Sequence, residues 1–349
     1  MSRHLVFAVI TLLITFLIYV YPFMIVSHLI FGTDIINNWA FGLTILLSAI
    51  LYFYLRTHAT SPLLAGITHY GMGFGFIGFM IFHLAWLIAI ILPESAVNIG
   101  IGSLVLFTML GAKSLYKGRN ITIESLSIAS DKIANKTNII FISDVHLGSN
   151  KDTHLKKICE TCANLHYDYL LIGGDLFDSS AFQPNDLAPL KDITKPIYFV
   201  TGNHEYYVKN HDSKLSQLSD YNIQTLDNQT TDINGLNLIG ISDNLSVKQQ
   251  AETARHLCRK DKFNLIMVHQ PGIWPIAPDN ADLILSGHTH NGQIFPFIWL
   301  VRLQFKAVYG LYENLASKIY VSSGAGTWGP AMRLGTKNEI VHISLSPSK

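Results

Sequence analysis

Two regimes of hydrophobic patterning divide the chain. Up to residue 112 the apolar positions run on without a period, in stretches at 5–31, 39–55, 73–92 and 97–112. A helix needs about 20 apolar residues to cross hydrocarbon, with roughly 17–25 tolerated. The first three stretches meet that length, and the fourth is short and interrupted by glycine. Beyond residue 120 the pattern breaks into short apolar runs separated by amphipathic or polar segments. Residues 121–128 alternate as a half-buried strand does, and 138–143, 169–174, 197–202, 236–241, 263–268, 282–287 and 318–324 read as further strands. Amphipathic helices are expected at 153–165 and around 247–260. Strands alternating with helices predict an α/β domain with its functional groups at strand ends.

Composition sharpens this division. The 349 residues are 49% hydrophobic and 14% charged, where a soluble domain carries about 25% charged residues. Residues 1–112 hold only Arg3, Asp34, Arg56 and Glu94, which leaves 23 Lys+Arg and 22 Asp+Glu to residues 113–349. Disorder, collagen-like repeats and a disulfide scaffold are excluded. A net charge of +1 gives no electrostatic footprint for nucleic acid. Three cysteines fit a reducing compartment. The first apolar stretch is too long for a cleaved leader and reads as a retained anchor. With four spans, Arg3, Arg56, Lys113, Lys117 and Arg119 all fall on one side, while the alternate loops carry Asp34 and Glu94. That bias predicts a multi-pass protein of the inner (cytoplasmic) membrane, with both termini and everything after residue 113 in the cytoplasm. Gly71 and Gly75 have the spacing of close helix packing. Of His28, His58, His69 and His83 only the last lies deep in a span, and no acidic partner accompanies it, so a proton path is disfavoured.

The strand ends carry the chemistry. One run leads into SDVHLG with Asp144 and His146, which point the same way if the segment is extended. The next leads into GGDLFD with Asp175 and Asp178, and the third into TGNHE with Asn203 and His204. Two later runs end at His269 and at GHTH with His288 and His290. Carboxylates and neutral imidazoles are ligands for manganese, iron and zinc. Burying so many ionisable groups together without metal would cost several kcal/mol apiece.

In order, these blocks (DVH, GDLFD, GNHE, a later His, GHTH) make the chain resemble the calcineurin-like metallophosphoesterases, and GNHEYY and SGHTHNGQIFP resemble their membrane-associated bacterial branch. The resemblance covers about 137–349 and implies a four-layer αββα sandwich, two mixed β-sheets flanked by helices. An all-α transmembrane region (1–112) precedes it, with 113–136 as linker and first strand. It further implies that Asp144, His146 and His290 hold one divalent ion, that Asn203, His269 and His288 hold a second, and that Asp175 bridges them. A hydroxide shared by the two ions would attack phosphorus, with His204 at the leaving oxygen and Asp178 orienting His204. Manganese is the first candidate, with iron and zinc behind it. The implied substrate is a phosphodiester or pyrophosphate, with a lipid or lipid precursor favoured and membrane lipids as the other partner. A phosphoprotein or phosphomonoester phosphatase and a non-catalytic membrane scaffold or sensor are the alternatives. Oligomeric state is not readable.

A few residues outside the blocks invite reading. Arg333, after the GAGTWGP segment, is a candidate phosphate clamp. Cys159 and Cys162 form a C-x-x-C on a predicted helix and read as inert thiols. Tyr206 and Tyr207 read as packing groups. Trp274, Phe295, Phe297 and Trp299 form an aromatic-rich run near the metal-binding ends, open to reading as core, substrate groove or lipid-facing surface.

Overall fold

A computed structural model of the chain describes residues 3–57, 61–314 and 317–348; His58 lies outside them. Two compact units emerge, Met1–Tyr116 and Lys117–Lys349.

In the first unit, Arg3–Ile14 (α1), a π-helical turn at Thr15–Val20 and Tyr21–Phe31 (α2) follow one another. Asn38–Thr57 (α3), Pro62–Ile91 (α4) and Ala96–Arg119 (α5) complete it. Among the described residues, four helical stretches are long and apolar enough to cross a membrane: His4–Phe31, Asn38–Thr57, Pro62–Ile91 and Pro93–Arg119. The third starts eleven residues before the expected position, because Pro62 sets the first helical turn and His69 and Tyr70 are carried inside the helix. The fourth is not cut short by Gly100 and Gly102, and residues 113–119, expected in a linker, are its last turns. Small residues let these helices approach closely. A Cβ on Gly75 would stand 2.1 Å from the Ile18 carbonyl oxygen, and one on Gly71 would strike the Tyr19 ring. His83 turns its Nδ1 to the Phe79 carbonyl one turn back, at 2.6 Å.

The second unit is a pair of six-stranded mixed sheets. The first sheet holds, in spatial order, Ile121–Ser130 (β1), Asn338–Pro347 (β12), Thr137–Ile142 (β2), Tyr169–Ile172 (β3), Ile197–Phe199 (β4) and Ile223–Thr225 (β5). The second holds Gly310–Glu313 (β10), Lys318–Val321 (β11), Leu283–Ser286 (β9), Asn264–Val268 (β8), Leu236–Ile241 (β7) and Gln229–Ile233 (β6). β2 to β5 run parallel, and so do β7, β8, β9 and β11. β6 and β10 close the second sheet as antiparallel edges, and β12 lies antiparallel to β2 but parallel to β1.

Layering follows from the two-residue period of a strand. Along β2, Ile139 and Phe141 face the space between the sheets, together with Leu238, Leu265, Met267, Leu283 and Leu285 of the second sheet. Ile140 and Ile142 face the opposite way, onto Leu155, Ile158, Cys159 and Cys162 of Asp152–Ala163 (α6). Ile239, Ile266, Val268 and Ile284 face Ala251 and Ala254 of Val247–Leu257 (α8). Strands buried on both faces read as unbroken apolar runs, which is how they look in the sequence. Two short helices, His211–Ser216 (α7) and Ile298–Gln304 (α9), lie in the connections. Helix, sheet, sheet, helix is the expected four-layer order. The C-x-x-C thiols lie in the α6 layer, where burial pushes both up to about 12.

Phe141 is fully buried between the sheets, against Gly173, whose missing side chain its ring occupies. Phe141→Ala should cost about 3–5 kcal/mol, read as a fall in the thermal midpoint of the detergent-solubilised protein. Exposed Ser127→Ala on β1 should stay within about 0.5 kcal/mol of the parent; equal shifts for both would contradict this layering.

Candidate metal centre

The parallel strands of both sheets end in short loops, and those loops supply the polar groups. Beyond β2 come Asp144 and His146, beyond β3 Asp175 and Asp178, and beyond β4 Asn203 and His204. From the second sheet, β8 leads into His269 and β9 into His288 and His290. The first two loops are zipped together: the amide of Asp144 donates to the Gly174 carbonyl and that of His146 to the Asp175 carbonyl, both at 3.0 Å. The convergence of Asp144 and His146 does not come from an extended segment. Both residues are left-handed, at φ 55° and 53°, as are Asp175 at 53°, His288 at 70° and His290 at 48°. Each such residue costs roughly 1–2 kcal/mol, and five of them in one site mark a backbone shaped for something other than stability.

Around one point gather Asp144, His146 and His290. The Nε2 atoms of His146 and His290 are 3.0 Å apart, and the Asp144 Oδ1 lies 3.9 Å from the first and 3.5 Å from the second. Around a second point gather Asp175, His269 and His288. Here the His269 Nε2 lies 3.1 Å from the Asp175 Oδ2 and 3.3 Å from the His288 Nδ1. Asp175 also approaches the first group, with its Oδ2 3.8 Å from the His146 Nε2. Neighbouring ligands about 2.1 Å from a common divalent ion stand roughly 3 Å apart, so these spacings fit such ions. The Asn203 Oδ1 is buried without a hydrogen-bond partner, the condition of an amide oxygen meant for a cation. Glycines make the room: a Cβ on Gly202 would stand 2.2 Å from the Asp175 Oδ1, and one on Gly287 2.3 Å from the Asp144 Oδ2.

The electrostatics agree. Burial pushes the Asp144 carboxyl up, and the charge of Asp175 adds to that push. Burial presses on Asp175 likewise, but the imidazoles of His269, His146 and His204 hold it well below the usual carboxylate range. His269 is driven the other way: burial opposes its charge, yet Asp175 and Asp144 raise it well above an ordinary histidine. Burial, reinforced by the charge of His269, lowers His288 to about 3, and burial with His146 lowers His204 to about 4.

Two of these imidazoles have a polar group behind them. The His269 Nδ1 bonds the Gly173 carbonyl at 2.9 Å, which turns Nε2 towards Asp175. Asp178, expected to orient His204, lies in one group with both His204 and His146; its Oδ2 sits 3.1 Å from the Nδ1 of His146, while its Oδ1 accepts the Ser149 amide. His204 is anchored by its own amide, which donates to the Asp175 Oδ1 at 2.9 Å, and its ring stands 5.4 Å from Tyr207 and 6.0 Å from Trp328. Arg333 is not where a phosphate clamp would stand. It is fully buried and donates to the carbonyls of His290, Ser323 and Gly326 and to the Asn338 Oδ1.

Two supporting residues went unread in the sequence. Glu205, the last letter of GNHE, accepts the amides of Asp175, Phe177 and Gly202 and so ties two metal loops together. Burial and the nearby Asp175 push its carboxyl up to about 8. Its place directly after the Asn-His pair was the available signal. Asn338 joins the Arg333 Nε to the Gly118 carbonyl and carries no signal of its own. Tyr206 hydrogen-bonds Thr201 and Ser242, and Trp274 packs on Tyr312.

Fold and site define an α/β sandwich built around a carboxylate–imidazole centre for divalent cations. The model of the calcineurin-like phosphoesterases matches residues 137–292. A metallophosphoesterase of Aquifex aeolicus is 30% identical over 254 residues, covering 68% of this chain and 96% of the relative. One from Helicobacter pylori is 37% identical over 238 residues, 64% of either chain. A bovine protein named "transmembrane protein with metallophosphoesterase domain" is 33% identical over 237 residues, 60% of this chain and 53% of its own. The chain belongs to the calcineurin-like phosphoesterase family. It spans just under two thirds, 64%, of the length of the Helicobacter and Campylobacter relatives.

The position of Asp178 yields a test. Removing a carboxylate behind a ligating histidine costs 10–100-fold in metal affinity or activity. Asp178→Asn should weaken Mn²⁺ binding in titration calorimetry by that factor and lower turnover at limiting metal, with recovery at saturating metal. Unchanged affinity with lost turnover would place Asp178 with His204 instead.

Proposed function

We propose that the chain is a membrane-anchored, metal-dependent phosphoesterase that hydrolyses a phosphodiester or pyrophosphate bond of a lipid or lipid precursor. The observation that carries the reading is the convergence of the buried Asp144, Asp175, His146, His269 and His290 and the half-buried His288 on two adjoining points, with the orphaned Asn203 oxygen in the neighbouring loop. Asp144, His146 and His290 would hold one ion and Asn203, His269 and His288 the other, with Asp175 shared. Oxygen and imidazole donors suit manganese first, with iron and zinc as competitors. Bound ions supply positive charge to the phosphoryl oxygens and acidify a water nucleophile.

The remaining work falls to the chain's own residues. Glu205 and the paired loops hold the carboxylates in place, and Asp178 sets which nitrogen of His146 keeps its proton. His204 has a partly accessible ring and serves the leaving oxygen by donating a hydrogen bond to it from its neutral imidazole. Four apolar helices and the name of the bovine relative support the membrane anchor. The run of basic residues on alternate loops supports an inner-membrane location with the catalytic unit in the cytoplasm. A tethered site suits a substrate whose tail stays in the leaflet.

Reconstituted full-length protein should hydrolyse bis(p-nitrophenyl) phosphate with Mn²⁺, lose turnover in chelator, and lose it at least about 10³-fold in Asp175→Asn, the scale of removing one group that stabilises developing charge. A strong preference for p-nitrophenyl phosphate would make it a monoester or phosphoprotein phosphatase. No hydrolysis with any of the three metals would leave a scaffold or sensor, and a reporter fused after residue 349 that works only outside the cell would reverse the topology.

A further inference from the structure

Directly after the GHTH histidines the chain makes a lobe, residues 293–306, that behaves unlike the rest of its unit. Its helix α9 reads IWLVRLQ and buries none of its residues. Trp299 is 58% exposed, Leu300 57% and Leu303 84%, and Phe295 adds 48% beside them. The ring of Phe295 meets that of Trp299 edge-on at 5.2 Å, so the apolar groups form one patch. Short helices in water are marginal, and proteins stabilise them by burying an apolar face; this one presents that face outward. Contiguous exposed apolar patches mark contact surfaces.

The patch borders the metal centre. Phe305, which ends α9, stands 5.4 Å from the His288 ring. Gln293 grips the backbone of Trp328 in both directions, accepting its amide at 3.0 Å and donating to its carbonyl at 2.9 Å. Trp328 is itself half exposed and lies 6.0 Å from His204.

We propose that this lobe is a bilayer-docking surface, seating Phe295, Trp299, Leu300 and Leu303 among the headgroups and upper acyl chains of an anionic membrane. Three observations favour lipid over a protein partner. The side chains are those of the bilayer interface, where Trp is enriched and Phe and Leu insert. Between residues 283 and 312 no Asp or Glu occurs, while Arg302 and Lys306 are exposed on the lobe. Each cation near an anionic surface contributes about 1 kcal/mol. Third, the same chain carries four helices fit to span a bilayer, so a weak second contact is enough, because a tethered surface binds at high effective concentration. The proposal rests on the membrane-anchored reading above, and not on catalysis. It gives the lobe a specific consequence: a substrate headgroup at the membrane surface is brought beside His204 and His288 without leaving its leaflet.

The test uses the full chain in nanodiscs of phosphatidylcholine and phosphatidylglycerol, one molecule per disc. Cys258→Ser removes the accessible thiol, since Cys159 and Cys162 are buried. Nitroxide labels are then placed singly at Leu303→Cys, at the exposed Leu84→Cys within the last third of α4, and at Lys248→Cys on α8, and power saturation compares collision with oxygen and with a water-soluble nickel chelate. The expected result is oxygen-dominated collision at 303 and 84, with nickel-dominated collision at 248. A nickel-dominated label at 303 with an oxygen-dominated label at 84 overturns the docking surface and leaves the anchor standing. Protection of 303 from both agents overturns it in favour of protein contact, and a nickel-dominated label at 84 overturns the anchor as well. Quenching of tryptophan fluorescence by brominated lipid, compared between wild type and Trp299→Phe, keeps the test open if the cysteine variants misfold. The wild type should lose more signal, and equal losses contradict docking.

Discussion

Asp144 and Asp175 are almost wholly removed from water, and the same few imidazoles surround both. A buried ion without full compensation costs several kcal/mol. Here the close contact between His269 and Asp175 relieves one carboxylate only, and the His146–His290 pair sets two basic nitrogens against each other. Left-handed backbone at five of these positions adds further strain. Nothing in this arrangement favours the apo fold by itself. Cations held by these carboxylates and imidazole lone pairs would offset the electrostatic terms, while the backbone strain would remain. The rest of the second unit can be understood as a means of holding that arrangement rigid, with two sheets whose parallel strands deliver their ends to the site and a core sealed on three levels.

Much of this was legible because a doubly buried strand leaves an unmistakable trace: an apolar run that stops at Asp, Asn or His. All five signature loops were found that way, whereas the four-layer order came from the family resemblance that those loops carry. What the sequence hid were strands without such runs. β12 carries Asn338, Glu339, His342 and Ser344 among its apolar residues, yet sits between β1 and β2. β5 is three residues long, too short to display a period. The helical region was misread at polar residues: His69 and Tyr70 looked like a boundary, although helix packing accepts them.

Side-chain roles were less legible than side-chain membership. Asp178 lies 26 residues before His204 and 32 after His146, and spacing along the chain does not show that it stands in one group with both imidazoles. Arg333 looked like a free cation because sequence cannot show that three carbonyls and an asparagine await its guanidinium. It acts as a brace for the GHTH loop. Through Asn338 the same brace reaches the Gly118 carbonyl at the start of the second unit.

The most direct test is an anomalous difference map from crystals of the chain grown with manganese. Two peaks a few ångströms apart, both against the Asp175 carboxylate and one beside the Asn203 oxygen, are the expected result. A map with no peak there, or with manganese bound only at other surfaces, would contradict the dinuclear centre.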